Sequence, residues 1–294
     1  MFLRKFADKT AKTKGTNRML KFFKFILLFF KFIFLFLMIP FLIISTLFIN
    51  PKKEYTKDSK FYRWLLNNYT WFALVVLKVK LHVSGMEKLP NDAQFLLVQN
   101  HYSNFDPIVT WYAFKKNTLA FVSKPENFKV PFFGRMIRKC CFMAIDRENP
   151  RNAVKTVEQA ANLMKSGEAS VGIYPEGTRN KSYVGLLPFH NSVFKIAHKA
   201  NNAPIVIVGV SGTEKIHKNT PWKKTHVYIE VLQVLSSEEV QAMRTNEIGK
   251  ITEERLLEFL ERYGHVRVEE ENFVQETQTE STVGAEGTDG HESA

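Results

Sequence analysis

The stretch Gln94-Phe95-Leu96-Leu97-Val98-Gln99-Asn100-His101-Tyr102-Ser103-Asn104-Phe105-Asp106-Pro107 sets a short apolar run against a polar turn and a proline. Its first half has the length and composition of a buried strand. Asp106 is a favoured N-cap residue and Pro107 suits the first helical position, so a helix is predicted to begin at Pro107. A buried strand that passes through a turn into a helix is the unit of which α/β sheets are made.

Outward from this unit the same alternation recurs. Val79–Val83 precedes it as a strand, and Thr118–Ser123, Phe142–Ile145, Ala169–Tyr174, Ile205–Val210 and Val227–Leu235 follow. Ala169–Tyr174 and Ile205–Val210 are short and apolar with β-branched residues, as strands buried in a parallel sheet are. Asn152–Lys165 places Ala153, Val157, Ala160, Ala161 and Met164 at helical spacing before a stop at Gly167, and Glu247–Arg262 is a charged amphipathic helix. The pattern predicts an α/β fold with a mixed, largely parallel sheet flanked by helices.

Upstream, Phe25–Ile49 is almost continuously apolar, interrupted by Lys31 and Pro40, and is about long enough for the ~20 residues of a spanning helix. It lacks a small-residue cleavage site, so it is expected to be retained. Lys52, Lys53, Lys57, Lys60 and Arg63 follow it, and the chain is therefore basic on both flanks, which puts both ends on the cytoplasmic side. Pro40 lacks a backbone donor; a break there would let two halves dip into one leaflet and return, the alternative being a kinked single pass. Phe61–Leu77, with Trp64, Trp71 and Phe72, reads as a second, interfacial helix. The chain thus divides into a basic flexible arm (1–24), a membrane-associated two-helix region (25–77), a folded domain (78–264) and an acidic, disordered tail (265–294).

The formal net charge of +12 calls for a polyanionic partner. The basic residues crowd the first segment, beside the apolar run, and no nucleic-acid motif accompanies them, so an anionic membrane surface is expected and nucleic acid is not. Cys140 and Cys141, the only cysteines, are adjacent and cannot staple the fold, which suits a reducing setting.

Two polar clusters fall after predicted buried strands, at the edge where open α/β sheets bind ligands. In the first, neutral His101 can take a proton from an alcohol, and Asp106 can orient the ring and stabilise the imidazolium. Taken alone the pair also fits a polar loop residue and an N-cap. In the second, Tyr174-Pro175-Glu176-Gly177-Thr178-Arg179, the glycine permits an unusual turn and Arg179 offers a planar fork for phosphate oxygens, while Glu176 could hold the acceptor or an arginine. A tight surface turn with a solvated arginine is the plainer reading. Lys124 and the Asp146-Arg147 pair end two further strands, so more cations can reach the same crevice.

With these blocks in order, the sequence resembles the glycerolipid acyltransferase family, specifically its 1-acyl-sn-glycerol-3-phosphate acyltransferases, from about Phe61 to Leu235. The matching blocks are Asn100–Asp106 (NHYSNFD), Gly134–Arg147 (GRMIRKCCFMAIDR), Tyr174–Asn180 (YPEGTRN) and Ala203–Val210 (APIVIVGV). The resemblance implies that family's α/β fold and direct acyl transfer from acyl-CoA or acyl carrier protein to the sn-2 hydroxyl of lysophosphatidic acid, giving phosphatidic acid. It implies no cofactor and no metal. His101 would be the general base oriented by Asp106; Arg147, Glu176 and Arg179 would shape the glycerol-phosphate site, Gly177 and Thr178 its turn, and Lys124 would add a phosphate contact. The expected location is the cell membrane, with the catalytic domain on the cytoplasmic side, and the oligomeric state is open. Phe189-His190-Asn191-Ser192 lacks the Lys and Gly that relatives often carry after the Glu-Gly-Thr-Arg block, and Pro125 to Phe128 also departs. Rival readings are another lysolipid as acceptor, a noncatalytic lipid-binding protein, and a metallohydrolase using His101, Asp106 and Glu176.

Overall fold

The computed structural model describes residues 2–91, 93–145 and 150–265, with residues 2–21 described by their backbone. In chain order the elements are α1 (Phe2–Leu47), α2 (Lys60–Val76), β1 (Val79–Ser84), β2 (Leu96–Gln99), α3 (Asp106–Ala113), β3 (Leu119–Ser123), α4 (Phe133–Lys139), β4 (Met143–Ala144), α5 (Pro150–Lys165), β5 (Ser170–Ile173), α6 (Lys195–Lys199), β6 (Ile205–Ser211), α7 (Ile216–Asn219), β7 (Thr225–Leu235), α8 (Ser237–Ala242) and α9 (Thr245–Arg262). Arg147 and the predicted tail beyond residue 265 lie outside the described residues.

One seven-stranded sheet runs in the order β1-β7-β6-β2-β5-β3-β4. β2 is parallel to both β5 and β6, and β3 is parallel to β5 and β4, so these five strands end on one edge. β7 is antiparallel to β6, and β1 is parallel to β7, so both of those begin at that edge. The predicted mixed, largely parallel α/β sheet is the observed one. Leu96, Leu97, Val98, Val171 and Ile205 to Val208 are wholly buried in the middle strands, which is why they carry no polar alternation. Helices cover the sheet: α2 packs on α3 and α4, and α5 on α6. Gly172 in β5 faces Phe121 of β3, and a methyl group there would come within 2.6 Å of its ring. The bare backbone at that position is what admits the ring.

At the N-terminus the structure departs from the sequence reading. α1 is a single helix that continues through residues 2–24, read above as an arm, and through Pro40, where a re-entrant break was expected. Proline costs a helix one backbone hydrogen bond, whereas a true break in an apolar segment would strand several polar groups. Phe25–Leu47 is long and apolar enough to cross a membrane, and Phe25, Leu27, Phe36 and Leu37 are exposed along it. α2 runs back antiparallel to it: Phe32 lies 4.7 Å from Phe72 and 5.9 Å from Trp71, and the Tyr69 and Tyr62 hydroxyls donate to the carbonyls of Leu35 and Ser45.

Arg63 locks this hairpin to the domain. Its guanidinium is buried and donates to the Asp58 carboxylate (2.6 Å), the Leu119 carbonyl (2.6 Å) and the Cys140 carbonyl (2.8 Å). Both cysteines are free and buried, and desolvation pushes their thiols up to about 12, so they act as small apolar core residues. Removing one member of a buried, fully bonded ion pair leaves its partners unsatisfied. Arg63→Ala should therefore destabilise the domain by about 3 kcal/mol. Thermal unfolding in detergent measures it, and an unchanged transition would contradict the locking role.

Candidate active site

The shared edge gathers the chemistry. Past the end of β2, the Asn100 side chain imitates one more rung of strand pairing with β6: its amide donates to the Val210 carbonyl (2.8 Å) and accepts from the Val210 N–H (2.9 Å). This satisfies two buried backbone groups and fixes where the next residue emerges. That residue is His101, whose N–H donates to Glu176 (2.8 Å) and whose carbonyl accepts from the Asn180 N–H (2.7 Å).

The ring of His101 is held on two sides. Nδ1 lies 2.8 Å from Asp106 Oδ2, and one face stacks on Tyr174 with centroids 3.9 Å apart. Tyr174 in turn stacks on Phe121, so the glycine at 172 supports the His101 ring through two aromatic layers. Burial pushes the Tyr174 phenol well above its usual range, which keeps this floor uncharged.

Asp106 is fully buried, and its carboxylate is saturated. Oδ2 accepts from His101 Nδ1 and from the N–H groups of Tyr102 and Ser103, both at 2.7 Å, while Oδ1 accepts from the Thr213 hydroxyl. A carboxylate can only accept, so Nδ1 carries a proton, and in the neutral ring Nε2 presents its lone pair. The helix begins at Asp106 itself with Phe105 in the N-cap position, not at Pro107. Asp106 therefore caps the turn before the helix instead of the helix, which is how a residue five positions on reaches His101.

Glu176 is placed differently from its expected acceptor-binding role. Its two oxygens accept from the N–H groups of His101 (2.8 Å) and Leu187 (2.9 Å), and it is buried beneath the turn instead of facing the cleft. Desolvation pushes its carboxyl up to about 7 against the pull of those two donors. Gly177 takes φ +70°, the left-handed conformation that lets the turn present Arg179, while Thr178 points to solvent.

His101, Lys124, Gly177 and Arg179 line one cleft of about 530 Å³, whose other walls include Ile108, Trp111, Phe133, Ile137 and Phe142. Its volume is within the ~300–1,000 Å³ of small-ligand sites. His101 with its Nδ1 bonded to Asp106, the cations Lys124 and Arg179, the acidic Glu126 and an apolar wall thus share one cavity. Asn100, Tyr174 and Asn180 lie within the quoted motif blocks but carry no role there, and Thr213 lies outside those blocks. Thr213 lies far from the motif in sequence, and only the pairing of β6 with β2 brings it there.

The acyltransferase family profile matches residues 80–211. The chain is 31% identical over 170 residues to the 1-acyl-sn-glycerol-3-phosphate acyltransferase of Haemophilus influenzae, covering 58% of this chain and 68% of that protein. It is 33% identical over 135 residues to the enzyme of the same name from Escherichia coli, covering 44% and 54%. The 1-acyl-sn-glycerophosphate acyltransferase structure from Thermotoga maritima superposes with a TM-score of 0.59 at 22% identity, over 81% of this chain and 95% of that one, and so shares the fold. The family profile and these relatives define the class, an acyl-transferring α/β enzyme. The chain belongs to the acyltransferase family that includes these relatives.

The elevated Glu176 carboxyl makes stability pH-dependent. Its folded value exceeds the ordinary 4.5, so its contribution is complete below about 4.5 and is lost as pH rises through about 7. The loss should reach about 3 kcal/mol at most. Denaturant titrations across this range should show the decline, and Glu176→Gln should flatten it; an equal slope in the variant would exclude Glu176 as its source.

Proposed function

We propose that this chain esterifies the free sn-2 hydroxyl of 1-acyl-sn-glycerol-3-phosphate with a fatty acyl group, giving phosphatidic acid, and that acyl-CoA or acyl carrier protein supplies the thioester. The observation that carries this reading is the Asp106–His101 pair, at 2.8 Å, opening onto a cleft with cationic and apolar walls. The relatives named above act on that acceptor.

In this reading His101 Nε2 removes the hydroxyl proton as the oxygen attacks the thioester carbonyl. The imidazolium that forms is stabilised by the buried Asp106 carboxylate. Collapse of the tetrahedral intermediate breaks the carbon–sulfur bond, and the imidazolium returns its proton to the departing thiolate. The step consumes no cofactor and needs no covalent acyl-enzyme. Lys124 and Arg179 hold the phosphate, Arg179 through its planar fork. Arg147 joins them on the family resemblance alone. Glu176 and Gly177 position the loop, and the apolar wall takes an acyl chain.

Acceptor and product are membrane amphiphiles and the donor is water-soluble, so the site belongs at the cytoplasmic membrane face. The apolar α1 supports the membrane placement, and the water-soluble donor supports the cytoplasmic side.

Membranes containing the wild type, given lysophosphatidic acid and each labelled donor, should form phosphatidic acid. His101→Ala should lower turnover at least about 100-fold without unfolding the domain. Retained activity would remove the base assignment, and formation of product only from other lysolipids would move the acceptor. Arg179→Ala should raise KM for the acceptor about tenfold, equivalent to ~1.4 kcal/mol of binding, with little change in KM for the thioester. An effect confined to the thioester would reassign Arg179 to the donor.

A further inference from the structure

The segment between α7 and β7 reads Thr220-Pro221-Trp222-Lys223-Lys224, and Pro221 to Lys224 are all exposed. Trp222 is 85% exposed, an unusual position for the largest apolar side chain in a folded domain. From Lys215 to Ile229 the chain carries Lys215, Lys218, Lys223 and Lys224 and no acidic residue. The loop is nonetheless held in shape: the Lys223 N–H donates to the Asn219 carbonyl (2.7 Å), and the Asn219 amide donates to the Thr225 hydroxyl (3.1 Å).

Topology puts this loop at the catalytic edge. β6 ends there at Ser211, β7 begins there at Thr225, and Val79 of β1 pairs with Thr225. The Thr225 N–H donates to the Lys78 carbonyl (3.1 Å), directly after α2, so the loop adjoins the end of α2, where Val75, Val76 and Lys78 are exposed. Because Phe32 of α1 packs on Phe72 near the end of α2, the exposed Phe25, Phe29 and Phe30 lie toward that same end. Two features tie the loop to the chemistry. Upstream of it, Thr213 holds Asp106, and the His217 ring sits 4.9 Å from Phe105.

We propose that the Thr220–Lys224 loop is a second membrane contact, which seats the catalytic edge on an anionic lipid surface. The inference rests on the membrane placement proposed above. Tryptophan favours the headgroup region, and lysines beside it are attracted to anionic lipid within about one Debye length, ~10 Å at 0.1 M salt. Contact at the cleft's own edge would shorten the path of a lysolipid from the leaflet into the site. An acidic protein would meet the lysines equally well, but it would not account for the exposed tryptophan, valines and phenylalanines at that end.

The full chain is reconstituted into phosphatidylcholine vesicles with or without phosphatidylglycerol, bearing an environment-sensitive fluorophore on Trp222→Cys or, as a control, on Phe29→Cys. The native cysteines are buried and leave labelling selective. Spin-labelled lipid should quench both probes, the one at 222 more strongly with the anionic lipid. The triple variant Trp222→Ala/Lys223→Glu/Lys224→Glu should raise KM for acceptor delivered in anionic vesicles about tenfold and leave detergent-dispersed acceptor and donor KM unchanged. Quenching at 29 with the probe at 222 still in water would overturn the loop contact and spare the membrane placement. No quenching at either position would overturn both. A response at 222 only on adding acyl carrier protein would make the loop a protein-docking surface and overturn the lipid assignment.

Discussion

Four donors converge on the carboxylate of Asp106 beneath the edge of the sheet: a ring nitrogen, two backbone amides and a threonine hydroxyl. A carboxylate buried without them would cost several kcal/mol, and charge-assisted hydrogen bonds offset that cost only if every donor is in place. The residues that deliver them are therefore bound into one arrangement. The Asn100–Val210 pairing aligns β2 with β6 and brings up Thr213, the tight turn aims the amides of Tyr102 and Ser103, and Glu176 pins the start of that turn. The proton on His101 Nδ1 follows from the saturation of Asp106, and with it the orientation of the ring.

The same economy explains the site's surroundings. Gly172 admits Phe121, Phe121 supports Tyr174, and Tyr174 supports His101, so a missing side chain in the central sheet is transmitted as a flat surface under the His101 ring. Arg63 makes the analogous link on the other side, joining the hairpin to β3 and to the turn after α4. The apolar α1 is thereby held in fixed relation to the cleft.

Local rules failed where a longer-range interaction outweighed them. Pro40 suggested a break because its own residue loses a hydrogen bond, but the helix carries on because the many remaining bonds have no better partner in an apolar setting. Asp106 suggested a helix cap, yet its oxygens turn back to the preceding amides and His101, which offer a charged, multiply bonded site that a single cap cannot. Glu176 suggested substrate binding, but burial turns it to the two backbone donors nearest it.

By itself the sequence determined the strand and helix alternation, the apolar N-terminal segment, and the pair His101 and Asp106, because apolar periodicity and residue chemistry are local properties. The ordered motif blocks also carried the family resemblance. Only the tertiary structure decided that Thr213 completes the Asp106 site, that Tyr174 floors the histidine, that Lys124, Gly177 and Arg179 share a cavity while Glu176 and Thr178 do not line it, and that the Trp222 loop stands at the same sheet edge as His101. Those relations depend on which strands lie side by side and in which direction, and pairing between distant segments leaves no mark in the residues on either side of the gap.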